Sequence, residues 1–188
     1  MNKYYKYIDI PNIEILQKKL IEAIPEELLE KPSVTFLNRF VPELYNTMCN
    51  VPELSKYLES IGLRKYLTDL TLYVMDGESN FHIHTDPAVA GFNGVRILLP
   101  LQGCNDTYTQ FYESDIEPTT DYIYPRIGEP QQFIHYKEED CTLVDQANLS
   151  KPYFINTRSI HGIYNPNKER RISMWINFTD EVDLYSQM

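Results

Sequence analysis

Hydrophobic positions change their period once along the chain. In the first third, Ile13, Leu16, Leu20 and Ile24 recur at helical spacing with Lys18, Lys19 and Glu22 between them. This predicts an amphipathic helix that Pro25 ends. A second helix is expected over about residues 51–61, with Asn50 and Glu53 as a capping-box-like pair, Pro52 in the first turn and Gly62 as the C-terminal stop. The word VPEL occurs at 41–44 and 51–54, but two copies of four residues do not make a repeat protein.

From about residue 67 the texture is that of strands. LTLYVM (70–75), FHIHT (81–85), VRILLPL (95–101), YTQFY (108–112), CTLVD (141–145), YFINT (153–157), HGIYN (161–165) and RISMWINF (171–178) are short and rich in β-branched and aromatic residues. Turn-forming stretches such as DGESN (76–80) and NPNKE (165–169) separate them. Helices followed by about eight strands predict an α+β, mainly β fold, a jelly-roll or cupin-like barrel with the helices buttressing one sheet. One domain spans 1–188, with a helical region at 1–66 and a barrel at 67–180. Residues 113–140, with Pro118, Pro125 and Pro130, are expected as one long functional loop, and Tyr122, Tyr124 and Tyr136 place it as a lid.

Composition narrows the function. Lys and Arg total 17 against 27 Asp and Glu, a formal net charge of −10, which argues against gripping nucleic-acid phosphates or an anionic membrane. No stretch approaches the roughly 20 apolar residues of a membrane helix, and the N-terminus lacks a signal-peptide pattern. Cys49, Cys104 and Cys141 form no CxxC pair and read as reduced thiols, so a cytoplasmic protein is expected.

The chemistry concentrates at His84-Thr85-Asp86 and at His161. Residues i and i+2 of a strand share a face, so His84 and Asp86 project together. With His161 they supply two imidazoles and a carboxylate, the facial triad that holds non-haem Fe(II) and leaves coordination positions open. Ten residues after His161, Arg171 and Ser173 share one face of a strand whose other face is apolar. An arginine pointing into a barrel needs an anionic partner, and a planar carboxylate fits its fork. His82 shares a face with His84 and is the alternative ligand, although the HxD spacing favours His84. Arg170 adjoins Arg171 but is out of phase with Ser173 and Trp175. His135 is expected as a loop residue with no partner at ligand spacing.

At these residues the chain resembles the Fe(II)/2-oxoglutarate-dependent dioxygenases, whose pattern is HxD/E, a distal His and an Arg about ten residues later, often as RxS. The resemblance covers roughly residues 67–178 and is similar to small prolyl-hydroxylase-like or aspartyl/asparaginyl-hydroxylase-like members. It implies that His84, Asp86 and His161 bind iron and are the catalytic centre, that Arg171 binds the distal carboxylate of 2-oxoglutarate, and that Ser173 adds a hydrogen bond. Tyr73, on the strand before HxD, and Arg96, in an RIHLPL-type strand with Leu98 where that group has His, are further implied co-substrate contacts. The implied reaction uses dioxygen and hydroxylates a small molecule or an amino-acid or peptide side chain. The carboxylate ligand Asp86 argues against halogenation. Two alternatives are a cupin-like metal enzyme without 2-oxoglutarate and an inactive barrel used as a binding module. Oligomeric state is left open.

Overall fold

The two VPEL words mark two helix starts. Val41 and Val51 stand at the N-caps, Pro42 and Pro52 open α3 (Pro42–Cys49) and α4 (Pro52–Ser60), and Leu44 and Leu54 are buried. Proline suits a first turn, where its missing N–H is not needed. The expected capping box does not form, because α4 has no side-chain cap and Asn50 instead ends α3, its amide donating to Asn46 O at 2.8 Å. Gly62 does stop α4: at φ 73 it takes the left-handed conformation. Leu63 N–H then closes back onto Leu58 O at 2.8 Å, the hydrogen bond of a Schellman turn. The first helix, α1 (Ile13–Ala23), runs as its periodicity predicts, and a four-residue α2 (Leu37–Phe40) precedes α3.

The computed structural model describes residues 3–86, 91–118, 120–124 and 131–188, with side chains for 3–86, 91–118 and 134–188. The strands are β1 (Tyr5–Tyr7), β2 (Ser33–Phe36), β3 (Leu67–Met75), β4 (Ser79–Thr85), β5 (Val95–Gln102), β6 (Tyr108–Glu113), β7 (Thr120–Tyr124), β8 (Gln131–His135), β9 (Thr142–Asn148), β10 (Tyr153–Asn156), β11 (His161–Asn165) and β12 (Arg171–Phe178). They form two six-stranded antiparallel sheets, ordered β1-β10-β5-β12-β3-β2 and β7-β8-β4-β11-β6-β9. The mainly β expectation holds, and among the described residues the two sheets do not join into one closed sheet. The segment 113–140 is not one structureless loop, because β7 and β8 pair within it as an antiparallel hairpin. The side chains of Tyr122 and Tyr124 lie outside the described residues. No helix among the described residues is long and apolar enough to cross a membrane.

Alternation along the strands decides where the core sits. On β12, Ile172, Met174, Ile176 and Phe178 face the helices and join Leu70, Leu72, Val74, Ile97 and Leu99 with Leu16, Leu20, Met48, Leu54 and Leu58. The opposite face carries Tyr73, Leu98, Tyr153 and Trp175, which pack with Phe111, Ile163 and Phe81 of the second sheet. The helices therefore cover one face of the first sheet and leave its other face to the second sheet. Polar residues of β12 point into that inter-sheet space.

Candidate metal centre

β4 and β11 are antiparallel neighbours with His84 directly opposite His161, so the two rings lie on one face with centroids 4.4 Å apart. Asp86 follows on β4's chain, its N–H donating to Thr157 O at 3.0 Å and its carbonyl accepting from Arg158 Nη1 at 3.2 Å. One ligand atom from each of His84, Asp86 and His161 lies within 4.8 Å of the others, and all three residues are buried. Between the pairs His161–His84 and Ile163–Phe81, β4 spends three residues against two of β11. This β-bulge lets Phe81 and His84, an odd spacing apart, meet with ring centroids at 5.2 Å. His84 is 3% exposed whereas His82 is exposed, and His82 is not part of the three-residue group.

The imidazoles are oriented from behind. His84 Nδ1 lies 2.7 Å from His82 O and His161 Nδ1 lies 2.9 Å from Ser159 O. A carbonyl only accepts, so each Nδ1 carries the proton and each Nε2 presents its lone pair to the centre. His161 Nε2 is buried with no hydrogen-bond partner among the described residues. Burial, reinforced by His84, lowers the His161 pKa to about 4, so the ring is neutral at pH 7 and ready to ligate. Burial works to raise the Asp86 carboxyl, but Arg96 and the two imidazoles outweigh it and hold the group well below the usual carboxylate range. Arg96 Nη1 lies 3.0 Å from Asp86 Oδ2, while Oδ1 turns toward His84 Nε2 at 3.4 Å. The donor set, two imidazoles and one ionised carboxylate with an orphaned nitrogen among them, fits a divalent transition metal.

Arg171 and Ser173 are fully buried on the same inter-sheet face of β12. None of the three guanidinium nitrogens, nor Ser173 Oγ, has a hydrogen-bond partner among the described residues. The groups that feel the guanidinium charge are Cys104 and Tyr153; burial raises both, and Arg171 works against that rise. Arg170 is a different kind of cation: it forks Asp76 through Nε at 3.0 Å and Nη2 at 2.7 Å, and its Nη1 donates to Leu29 O. Tyr73 stands opposite Ser173 in the β3–β12 register, between Phe81 and Trp175 with centroids at 5.7 and 6.4 Å. Trp175 in turn lies 6.4 Å from His161, so one aromatic residue links the metal group to the Arg171 strand.

One sequence expectation fails here. His135 is not an isolated loop residue: on β8 it stands directly opposite His84, with ring centroids 6.0 Å apart, and 5.5 Å from His82. All four histidines of the chain thus fall in one contact chain. Pro130, just before QQFIH (131–135), hid a short strand that has no apolar–polar alternation to reveal it. Sequence reasoning carried the two-residue phase from Arg171 through Ser173 to Trp175 but did not single out Asn177, the next residue in that phase.

The architecture is shared with known structures. The epimerase SnoN, in complex with Fe3+, alpha ketoglutarate and nogalamycin RO, aligns with TM-score 0.57 and 13% identity over 95% of this chain and 79% of its own. The carbocyclase SnoK from nogalamycin biosynthesis aligns with TM-score 0.53 and 13% identity over 95% and 80%. The fold is that of the non-heme alpha-ketoglutarate-dependent enzymes. A prolyl hydroxylase from Trichoplax adhaerens, in complex with a hypoxia inducible factor peptide fragment, has this oxygenase-like fold too, with TM-score 0.52 and 11% identity over 96% and 85%. The sequence matches no protein-family model, and the search of curated proteins returned no match.

Proposed function

We propose that the chain is an Fe(II)- and 2-oxoglutarate-dependent oxygenase that hydroxylates a small molecule or an amino-acid or peptide side chain (2-oxoglutarate is alpha ketoglutarate). The observation that carries this reading is Arg171, a fully buried guanidinium with three nitrogens unpartnered among the described residues, on the strand whose Trp175 ring lies 6.4 Å from His161. An uncompensated buried cation is costly, and a carboxylate ligand relieves that cost. A metal enzyme that binds no carboxylate co-substrate, or a barrel without catalysis, has no use for it.

In this reading His84 Nε2, Asp86 and His161 Nε2 hold the metal. Arg171 binds the distal carboxylate of 2-oxoglutarate in a two-pronged geometry, with Ser173 Oγ as a further donor and Tyr73 alongside. Arg96 holds Asp86 by one oxygen, so the carboxylate cannot swing, and it also contacts co-substrate or substrate. When bound, Fe(II) with 2-oxoglutarate and dioxygen supplies decarboxylation of the co-substrate to succinate and CO2, coupled to oxidation of a substrate C–H bond. The rings of Phe81, Tyr73 and Trp175 line the space and keep water from it. The two sheets are the halves of a double-stranded β-helix, the helices and sheets make one domain, and the β7–β8 hairpin beside β4 covers the site. The enzyme is cytoplasmic.

The test is succinate formation from 2-oxoglutarate with Fe(II) by wild type and His161→Ala. Turnover by wild type and none by the variant supports the proposal. Absence of both turnover and 2-oxoglutarate binding in wild type overturns it.

A further inference from the structure

β12 keeps its alternation beyond Ser173, so Trp175 and Asn177 face the same inter-sheet space as Arg171, with Trp175 6.4 Å from His161. Register fixes their neighbours. Trp175 stands opposite Thr71 on β3 and Leu98 on β5, and Asn177 stands opposite Asp69. Arg96, two residues before Leu98 on the same face of β5, lies over the Trp175 ring at 5.2 Å.

Three buried polar atoms in this group have no hydrogen-bond partner among the described residues: Trp175 Nε1, Arg96 Nε and Asn177 Oδ1. Trp175 is 6% and Asn177 2% exposed. Two neighbouring polar atoms are in use. Asn177 Nδ2 donates to Thr71 Oγ1 at 2.8 Å, and Arg96 Nη1 pairs with Asp86 Oδ2 at 3.0 Å. That ion pair cancels the guanidinium charge, so what is left over is two N–H donors and one carbonyl acceptor with no net charge. Each unpartnered buried group is costly, and buried groups of this kind are ordinarily satisfied. Three on one face of one sheet mark a place built for a ligand. None of the three belongs to Arg171 or Ser173, so the group is separate from the proposed co-substrate anchor.

We propose that Trp175, Arg96 and Asn177 form a substrate subsite for an uncharged amide, such as a peptide unit or a carboxamide. The amide oxygen accepts from Trp175 Nε1–H and Arg96 Nε–H through its two lone pairs, and the amide N–H donates to Asn177 Oδ1. A carboxylate has no N–H for Asn177 and brings a charge that nothing at the subsite balances, because Asp86 already neutralises Arg96. An amine offers no acceptor to the two donors. The inference rests on the oxygenase reading above and names its substrate class.

Trp175 is the one tryptophan in the chain, so its fluorescence reports on the subsite directly. The experiment titrates the full-length protein, loaded with Mn(II) and 2-oxoglutarate, with N-methylacetamide, N,N-dimethylacetamide and methyl acetate. The expected result is a saturable emission change with N-methylacetamide and about tenfold weaker binding of the two probes that lack an N–H. In Asn177→Ala the three probes should bind alike. No saturable response to N-methylacetamide overturns the subsite, as does equal binding of all three by wild type or an unchanged preference in Asn177→Ala. The wild-type series needs no variant, so it decides the matter even if Asn177→Ala does not fold. A parallel titration with 2-oxoglutarate alone separates the two proposals. An amide preference without any 2-oxoglutarate binding leaves the subsite standing and removes the oxygenase reading, and the converse result does the reverse.

Discussion

Replacing Arg171 with methionine should move two measurements in opposite directions. Arg171 is fully buried, and its guanidinium has no hydrogen-bond partner among the described residues. Without a ligand, the substitution trades an uncompensated buried cation for an apolar chain of similar length in a wall made by Met75, Cys104 and Tyr153. Substitutions of buried charge by well-packed apolar residues stabilise by about 1–4 kcal/mol. At roughly 2–4 °C per kcal/mol for a chain of this size, Arg171→Met should raise the midpoint of thermal unfolding by about 5 °C. With 2-oxoglutarate the sign reverses. A two-pronged arginine–carboxylate contact in a buried site is worth about 3–5 kcal/mol once one partner is removed, so affinity should fall by roughly two to four powers of ten. Differential scanning fluorimetry with and without 2-oxoglutarate and Mn(II) reads both effects, and metal affinity should be unchanged. A variant that melts lower than wild type without ligand would show that the guanidinium is already satisfied. Unchanged 2-oxoglutarate affinity would refute the anchor role outright.

His161→Ala should lose Co(II) binding measured by its visible absorption, while far-UV circular dichroism stays native; retained Co(II) affinity would remove His161 from the centre. Deleting the β7–β8 hairpin should preserve iron and 2-oxoglutarate binding yet abolish substrate hydroxylation, and unimpaired hydroxylation would end its role as a cover. Asp69 is 5% exposed, and burial raises its pKa from 3.8 to about 6 despite hydrogen bonds from Asn38 N–H and Leu70 N–H. The folded chain therefore holds this proton more tightly than the unfolded chain. Stability is full below pH 4, falls as pH rises through 6, and loses at most about 3 kcal/mol from this group. Asp69→Asn should flatten that decline in chemical-denaturation midpoints between pH 4.5 and 7.5, and an unchanged slope would show that Asp69 does not cause it.

What was legible in the sequence follows from what a local pattern can encode. The amphipathic period of α1 and the alternation of β12 were readable because one face of each meets a continuous apolar core, and that constraint repeats every few residues. The HxD spacing was readable for the same reason, since His84 and Asp86 sit two apart beside one strand. The Asn50 capping box misled because Asn50 serves the end of α3 before it can serve the start of α4. A single residue between two helices has two possible duties, and sequence does not rank them. β7 and β8 were missed because prolines at 118, 125 and 130 were read as breakers, when a proline at a strand's flank leaves its ladder intact. His135 could not be placed for a further reason: its neighbour His84 lies fifty-one residues away in sequence, and only pairing between strands brings them together. The bulge in β4, which distinguishes His84 from His82, is likewise a property of the β4–β11 pairing.

In the proposed oxygenase reading, the charge arrangement is what lets an acidic chain hold a dianion. The net charge of −10 belongs to the whole molecule, but at the site Arg96 is cancelled by Asp86, His161 is neutral, and Arg171 has no counter-charge among the described residues. Among the described residues the interior therefore carries one uncompensated positive charge on β12, and a divalent metal at the triad would add a second positive centre. Two separated positive centres in a low-dielectric space attract a dicarboxylate far more than either attracts a monocarboxylate, because each carboxylate relieves a different desolvation cost. The acidic exterior then serves specificity. It repels anions generally, so only a ligand able to reach both buried centres recovers enough energy to enter. Arg96 is part of that balance, since it pairs with Asp86 Oδ2 at 3.0 Å and helps hold that carboxyl ionised. The same pairing leaves Arg96 Nε uncharged in effect and free to meet a neutral group, which ties the charge balance of the metal centre to the kind of substrate its neighbouring subsite accepts.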